Sequence, residues 1–277
     1  MMTMKQFKSA LFLMLCLAVG SKAQVSKTPF TIGETVVLQS EILGQERPLS
    51  IYLPYGFSPD SAKTYPVIYL LDGSADQDFL HIAGLVQFAS YPWLEYCPES
   101  IVVGIANLDR THDFTAPPHD PEYTEHAPTS GGSADFMRFI AEEVQPYIAA
   151  TYPLSGERTL IGQSLGGLLA TEILFTRPDL FDNYMIVSPS LWWDNEFLLD
   201  SDPAAYSGSK SIYIAVGEEG KVMKRGARQL HKKLQRLDRP NTRLFFKFFP
   251  ELNHADALHL SAYDGFKKLF WKPESKK

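Results

Sequence analysis

Short apolar stretches recur along the chain, separated by polar turns and by longer segments whose apolar residues return at helical spacing. Thr35–Ser40 and Leu49–Pro54 predict two strands, with Gly44–Pro48 turning between them. Tyr65–Leu71, Ile101–Ile105, Tyr184–Pro189 and Ser211–Val216 are nearly continuous apolar runs, the pattern of central strands covered on both faces. Arg243–Phe249 predicts the last strand. Phe136, Phe139, Ile140, Val144, Tyr147 and Ile148 set a helix over Ser133–Tyr152; Lys224–Leu237 and Asp256–Trp271 predict two more. Asn107–Gly132 is polar, with Pro117, Pro118, Pro121 and Pro128 and with His112, His119 and His126. A loop of that length without regular structure is usually functional or disordered. Strands alternating with helices predict an α/β fold with a parallel sheet, and 277 residues suit one domain with one large core.

The pattern has a centre. The apolar run Thr159–Ile161 enters Gly162-Gln163-Ser164-Leu165-Gly166, and a helix-compatible run leaves it, ending near Pro178. This is a G-x-S-x-G turn between strand and helix, the setting in which a serine becomes a nucleophile. The glycines are expected where a Cβ would strike the neighbouring strand or helix. The turn lifts Ser164 Oγ to the N-terminus of the following helix, where the N–H of Leu165 can meet a developing oxyanion.

A serine nucleophile needs a base, and the base needs an orienting carboxylate. In this architecture the chain order is serine, acid, histidine. After Ser164 the chain holds His231, His254 and His259. His231 lies mid-helix beside Lys232 and Lys233, and His259 falls inside the last predicted helix. His254 follows the final strand directly, where ligand chemistry sits in open α/β sheets, and is the expected base. Glu218 and Glu219 follow the glycine that ends the Ser211–Val216 strand. Glu219, further past the turn, is the expected acid and Glu218 its alternate; Asp238 and Asp256 are weaker candidates. Asp72-Gly73-Ser74 ends the Tyr65–Leu71 strand, so the Ser74 N–H is the expected second oxyanion donor. Trp192 and Trp193, with Tyr123 and Phe114, are candidates for an aromatic substrate wall, packing under a loop being the equal alternative. Arg110 and Asp113 are expected to pair and shape the long loop.

Composition narrows the partners. The formal net charge of -6 and the lack of a Lys/Arg cluster exclude a nucleic-acid binder. Residues 1–23 read as a signal peptide, with Lys5 and Lys8, an apolar run from Ala10 to Gly20, and small residues before a cleavage site after Ala23. The run is too short to span a bilayer, so residues 24–277 are expected as an exported domain, periplasmic or secreted, that does not stay in the membrane. Cys97 is then the only cysteine of the mature chain and is expected to be a buried structural thiol. No C-x-x-C or H-E-x-x-H motif occurs, so neither metal nor cofactor is expected.

Leu70-Leu71-Asp72-Gly73, Asn107 to Asp113, Gly131 to Pro146, Gly162–Gly167 and Ser188-Pro189-Ser190-Leu191-Trp192-Trp193 occur in an order that resembles the esterase D-like family of α/β hydrolases. The likeness runs from about Thr31 to Trp271. It implies the α/β-hydrolase fold, ester hydrolysis of a small-molecule substrate, and Ser164 and His254 as nucleophile and base. The family often places its acid three residues past the strand-end glycine. That position is Gly220 here, which leaves Glu219 or Glu218. The Ser188–Trp193 stretch is most similar to the siderophore (enterobactin-type) esterase branch, although no basic cluster awaits a strongly anionic ferric catecholate. Acyl transfer to an alcohol or sugar is the alternative within the fold. A catalytically silent binding protein is the alternative outside enzymology. Peptidase activity has no lid or propeller domain in the sequence to support it.

Overall fold

The computed structural model describes residues 26–270, together with Met4. The expected signal peptide, 1–23, lies outside these residues except for Met4, and the end of the last predicted helix, at Trp271, lies outside them too. The chain divides after Thr31, and the unit from Ile32 onward holds the sheet and its helices.

The sheet has eight strands in the order β1-β2-β4-β3-β5-β6-β7-β8. These are β1 (Glu34–Ser40), β2 (Gln45–Tyr52), β3 (Tyr65–Leu71), β4 (Ile101–Ile105), β5 (Leu154–Gln163), β6 (Asn183–Val187), β7 (Lys210–Gly217) and β8 (Thr242–Phe249). β1 and β2 are antiparallel, and β2 meets β4 antiparallel; every other pairing is parallel. The sheet is thus mixed, with a parallel centre, as expected of the α/β-hydrolase fold.

The near-continuous apolar strands are explained by cover on both faces, since successive side chains point to opposite sides. Along β3, Val67, Tyr69 and Leu71 join one buried cluster and Ile68 and Leu70 the other. The first cluster packs beneath α4 (Ser133–Arg138), a π-helical turn at Phe139–Val144, α5 (Gln145–Thr151), α6 (Leu165–Thr176) and α8 (Gly220–Arg236). The second packs beneath α1 (Phe79–Ala89) and α9 (Ala257–Leu269). Four helices differ from expectation. α1 was not among the predicted helices, although Phe79, Ile82, Ala83 and Val86 carry helical spacing and are buried. The long polar segment contains two short helices, α2 (Arg110–Phe114) and α3 (Pro121–His126), capped by the carboxylates of Asp109 and Asp120. A further short helix, α7 (Phe197–Asp200), follows β6. The predicted turn at Gly44–Pro48 is partly strand. Arg47 lies inside β2, fully buried, in phase with Leu49 and Ile51.

Arg47 also resolves the pairing of the polar segment. Its guanidinium donates to both Asp113 oxygens, at 2.6 and 3.0 Å. The expected Arg110–Asp113 pair does not form, because Arg110 turns to Asp72 instead. Phe114 is fully buried against Phe136 and is a core residue rather than a pocket wall. Cys97 is buried, and its burial pushes the thiol pKa up, which makes it unreactive.

Candidate active site

Ser164 sits at the carboxyl end of β5, just before α6, with φ 60° and ψ -121°. Few non-glycine residues adopt this backbone, and it is held by packing that admits no Cβ nearby. A Cβ on Gly162 would lie 2.3 Å from the carbonyl oxygen of Gly166. The strand and helix therefore approach as closely as the sequence pattern requires. Ser164 N–H donates to Val187 O at 3.1 Å, and Ser190 N–H donates to Ser164 O at 3.0 Å, which ties the turn to the end of β6.

The loop after β8 brings His254 over this turn. Its Nε2 is 3.0 Å from Ser164 Oγ, and its Nδ1 is 2.6 Å from Glu219 Oε2. The Gln163 side-chain amide donates to the His254 carbonyl at 2.6 Å, fixing the loop from below. Asp256 accepts from the Asn253 backbone and side chain and so shapes the turn before α9. Glu219 is buried, and its other oxygen, Oε1, accepts from Ser188 Oγ at 2.5 Å and from Gly217 N–H at 2.8 Å. Burial pushes this carboxyl up, but the hydrogen bonds from His254, Ser188 and Gly217 outweigh it and hold the pKa below the usual value. Glu219 is therefore a carboxylate, able to orient the imidazole and balance its positive charge.

Glu218 points elsewhere. Its side chain pairs with Lys224 at the start of α8, while its backbone N–H donates to Leu252 O. His231 packs on Phe246, on a helix that does not border the Ser164 cleft. Of the candidate acids and bases, the structure brings together Ser164, His254 and Glu219.

Leu165 occupies the first position of α6, where a backbone N–H has no acceptor within the helix. At the end of β3, Asp72 takes a left-handed φ of 55° and turns the chain toward Ser74. Gly73 N–H is spent on Ile105 O, whereas Ser74 N–H has no acceptor among the described residues. Ser74 Oγ is engaged locally with Asp76 and Gln77.

The cleft around Ser164 and His254 measures about 410 Å³ and is also lined by Asp72, Gln77, Asp78 and Arg110. Arg110 grips Asp72 with two bonds, Nε to Oδ1 at 2.7 Å and Nη2 to Oδ2 at 2.8 Å, and reaches Gln163 O at 3.2 Å. Asn107 donates to the same Asp72 oxygen at 2.6 Å. The long polar segment thus reaches the cleft through Asn107 and Arg110. Asp72, Asn107 and Ser188 were not singled out from the sequence as site residues. Arg110 was expected to shape the long loop by pairing with Asp113, and it pairs with Asp72 at the cleft instead. The strand-end position of Asp72 is the one sequence signal that marks it.

Trp192 and Trp193 part company. Trp192 is partly exposed; Trp193 is buried, stacked edge-on with Tyr123, and lines a separate cavity. Neither lines the cleft that holds Ser164. Among the described residues, no cluster of three or more His, Cys, Asp or Glu side chains can hold a metal ion. Nor is any described helix long and apolar enough to cross a membrane.

Known proteins resemble the chain in sequence and in fold. The family model described as "Putative esterase" matches residues 40–267. The ferri-bacillibactin esterase BesA of Bacillus subtilis is 31% identical over 253 residues, 83% of this chain and 87% of its own. An IroE-like serine hydrolase from Shewanella oneidensis superposes with a TM-score of 0.75 at 31% identity, over 86% of this chain and 80% of that one. The BES protein from Bacillus cereus superposes at 0.76 and 28% identity, over 91% of this chain and all of that one. With the α/β-hydrolase sheet and a serine at its strand–helix turn, the chain belongs to this esterase family and is a carboxylic-ester hydrolase.

Proposed function

We propose that the chain cleaves carboxylic esters by a Ser164–His254–Glu219 triad, with siderophore-type esters as the substrate class. The observation that carries the reading is the unbroken hydrogen-bond path from Ser164 Oγ through both His254 nitrogens to Glu219. Ser164 Oγ attacks the ester carbonyl as its proton passes to His254 Nε2. Glu219 holds the Nδ1 proton and stabilises the imidazolium. The Leu165 and Ser74 N–H groups receive the tetrahedral oxyanion. His254 then protonates the departing alkoxide, leaving an acyl-serine. Water repeats the sequence with His254 as base, releasing the acid and restoring the serine.

The substrate class is supported by the names of relatives rather than by a single pocket feature. Besides the ferri-bacillibactin esterase, a triacetylfusarinine C esterase of Aspergillus fumigatus is 42% identical over 171 residues, 55% of this chain. Both relatives are named as esterases of iron chelators, so the shared element is the ester of a small iron chelator. Sugar-linked acyl esters are the second class to assay. Export, with cleavage after Ala23, belongs to the same reading and is supported by the charged-then-apolar N-terminus.

The test pairs the purified chain with Ser164→Ala on p-nitrophenyl acetate, a cyclic catecholate triester, a hydroxamate triester and an acetylated sugar. Ser164→Ala should lower kcat by about 10³-fold or more. A preference for either triester over the sugar ester supports the siderophore class, and the reverse order overturns it. Equal rates for the two proteins overturn the triad.

A further inference from the structure

Three charged side chains line the serine cleft besides His254: Asp72, Asp78 and Arg110. Two of them cancel. Arg110 holds both Asp72 oxygens and gives its third hydrogen bond to the Gln163 carbonyl. Asp78 has no such partner. It is half-buried, and its carboxylate forms no hydrogen bond or ion pair among the described residues. The cleft walls thus carry one negative charge that nothing balances and no positive charge left free.

The backbone explains why Asp78 is idle. It is the residue before α1, where an aspartate in extended backbone ordinarily turns its carboxylate onto the first free N–H groups of the helix. Asp109 and Asp120 do this before α2 and α3. Asp78 instead has φ -79° and ψ -9°, already helical, and caps nothing. Its N–H donates to Asp72 O at 3.4 Å, which ties it to the strand end that forms the cleft wall. Burial and the charge of Asp72 push the Asp78 carboxyl above its ordinary range, against the opposing pull of His259 and Arg110. A cation beside it relieves that penalty, and an anion adds to it.

We propose that Asp78 is a specificity residue of the Ser164 cleft, favouring esters whose arm beside the scissile carbonyl carries a protonated or quaternary amine over esters that carry a carboxylate there. Neutral arms rank between the two. This selectivity rests on the esterase reading of Ser164, since the arm is placed by the ester bound at the serine. An opposite charge at contact distance in a partly solvated cleft is worth roughly tenfold in affinity, and a like charge costs about as much. Asp72 lacks this influence because Arg110 neutralises it. Between the two triester classes, Asp78 favours the hydroxamate, whose ferric complex is neutral, over the strongly anionic catecholate complex.

Three p-nitrophenyl esters test this: those of γ-trimethylammoniobutyric acid, of its uncharged carbon isostere and of glutaric acid. In the parent at about pH 8 and low salt, kcat/KM should fall in that order, by at least about fivefold from cation to isostere. Asp78→Asn should bring the cation and the isostere within about twofold, Asp78→Glu should keep the order, and Asp78→Lys should reverse it. Glu95→Gln, which removes an equal charge outside the cleft, should leave the order unchanged. In Ser164→Ala, the Kd values of the three esters, read by ¹H NMR titration, should follow the same order without cleavage. Equal kcat/KM for cation and isostere in the parent overturns the proposal, as does an order that survives Asp78→Asn. Absence of both cleavage and binding for all three esters overturns it as well. Undiminished cleavage by Ser164→Ala overturns the esterase nucleophile instead, and the Asp78 variants still decide the charge preference.

Discussion

Ser188 Oγ lies 2.5 Å from Glu219 Oε1, and this contact joins the end of β6 to the end of β7 beneath His254. Ser188 is fully buried, with φ 45°, and its N–H donates to Ala215 O. A strained residue has been placed so that its hydroxyl fixes one oxygen of Glu219 while His254 takes the other. Ser188→Ala should keep KM and lower kcat by about 10-fold, the value of one hydrogen bond to a charged group. The lost donor also raises the Glu219 pKa, so the acid limb of the kcat–pH profile should move upward. A changed melting temperature with an unmoved profile would reduce Ser188 to a packing residue.

The two adjacent glutamates are predicted to separate cleanly. Glu219→Gln removes the carboxylate that holds the His254 tautomer and should lower kcat by roughly 10³- to 10⁴-fold. Glu218→Gln loses only the pair with Lys224 and should stay within about 3-fold of the parent. Steady-state kinetics on one activated ester decides between them.

The buried Arg47–Asp113 pair anchors the polar segment to β2. Asp113→Ala leaves a buried guanidinium without its partner and should cost about 3–5 kcal/mol in chemical denaturation. Replacing both residues by apolar ones of similar volume, Arg47→Met with Asp113→Leu, should recover most of that loss. A double variant no more stable than Asp113→Ala would contradict this account.

Gly162→Ala should be severe. The added Cβ would sit 2.3 Å from a backbone oxygen, and neither β5 nor α6 can withdraw without moving Ser164. Overpacking of this kind costs about 1–3 kcal/mol or more. Activity per folded molecule should fall further than stability does, because the serine turn is what shifts. Soluble protein with parental kcat would show the approach to be looser than it looks.

Glu172 gives the stability a pH dependence. Its folded pKa is raised to about 7 from an ordinary 4.5, so between these values the folded state binds more protons than the unfolded one. Stability therefore falls as pH rises through that window and levels off above it, by an amount on the order of 3 kcal/mol. Glu172→Gln should match the parent at pH 4.5 and exceed it at pH 8.5 in denaturant unfolding. An equal difference at both values would remove Glu172 as the cause.

Much of this protein is legible along the chain. The apolar runs of β3, β4, β6 and β7 mark a sheet covered on both faces, and Gly162–Gly167 marks the turn that must carry a serine. His254 follows from its place after the last strand. These signals are local: a strand's burial and a turn's glycine requirement are written in consecutive residues. α1 is equally legible in Phe79, Ile82, Ala83 and Val86, whose helical spacing lies between the stronger apolar runs of β3 and β4.

What only the tertiary structure decided are pairings between distant segments. The choice of Glu219 over Glu218 rests on a glycine turn whose rotation sends one carboxylate inward and the other to Lys224. Arg110 meets Asp72 rather than Asp113, because Arg47, in phase with the apolar side of β2, has already taken Asp113. Trp193 turns away from the serine cleft because three left-handed residues, Asp194, Asn195 and Glu196, redirect the chain after it. Charge and spacing allow several partners for each of these groups. Burial selects one, since a charge removed from water must be satisfied by whatever the packing brings within reach.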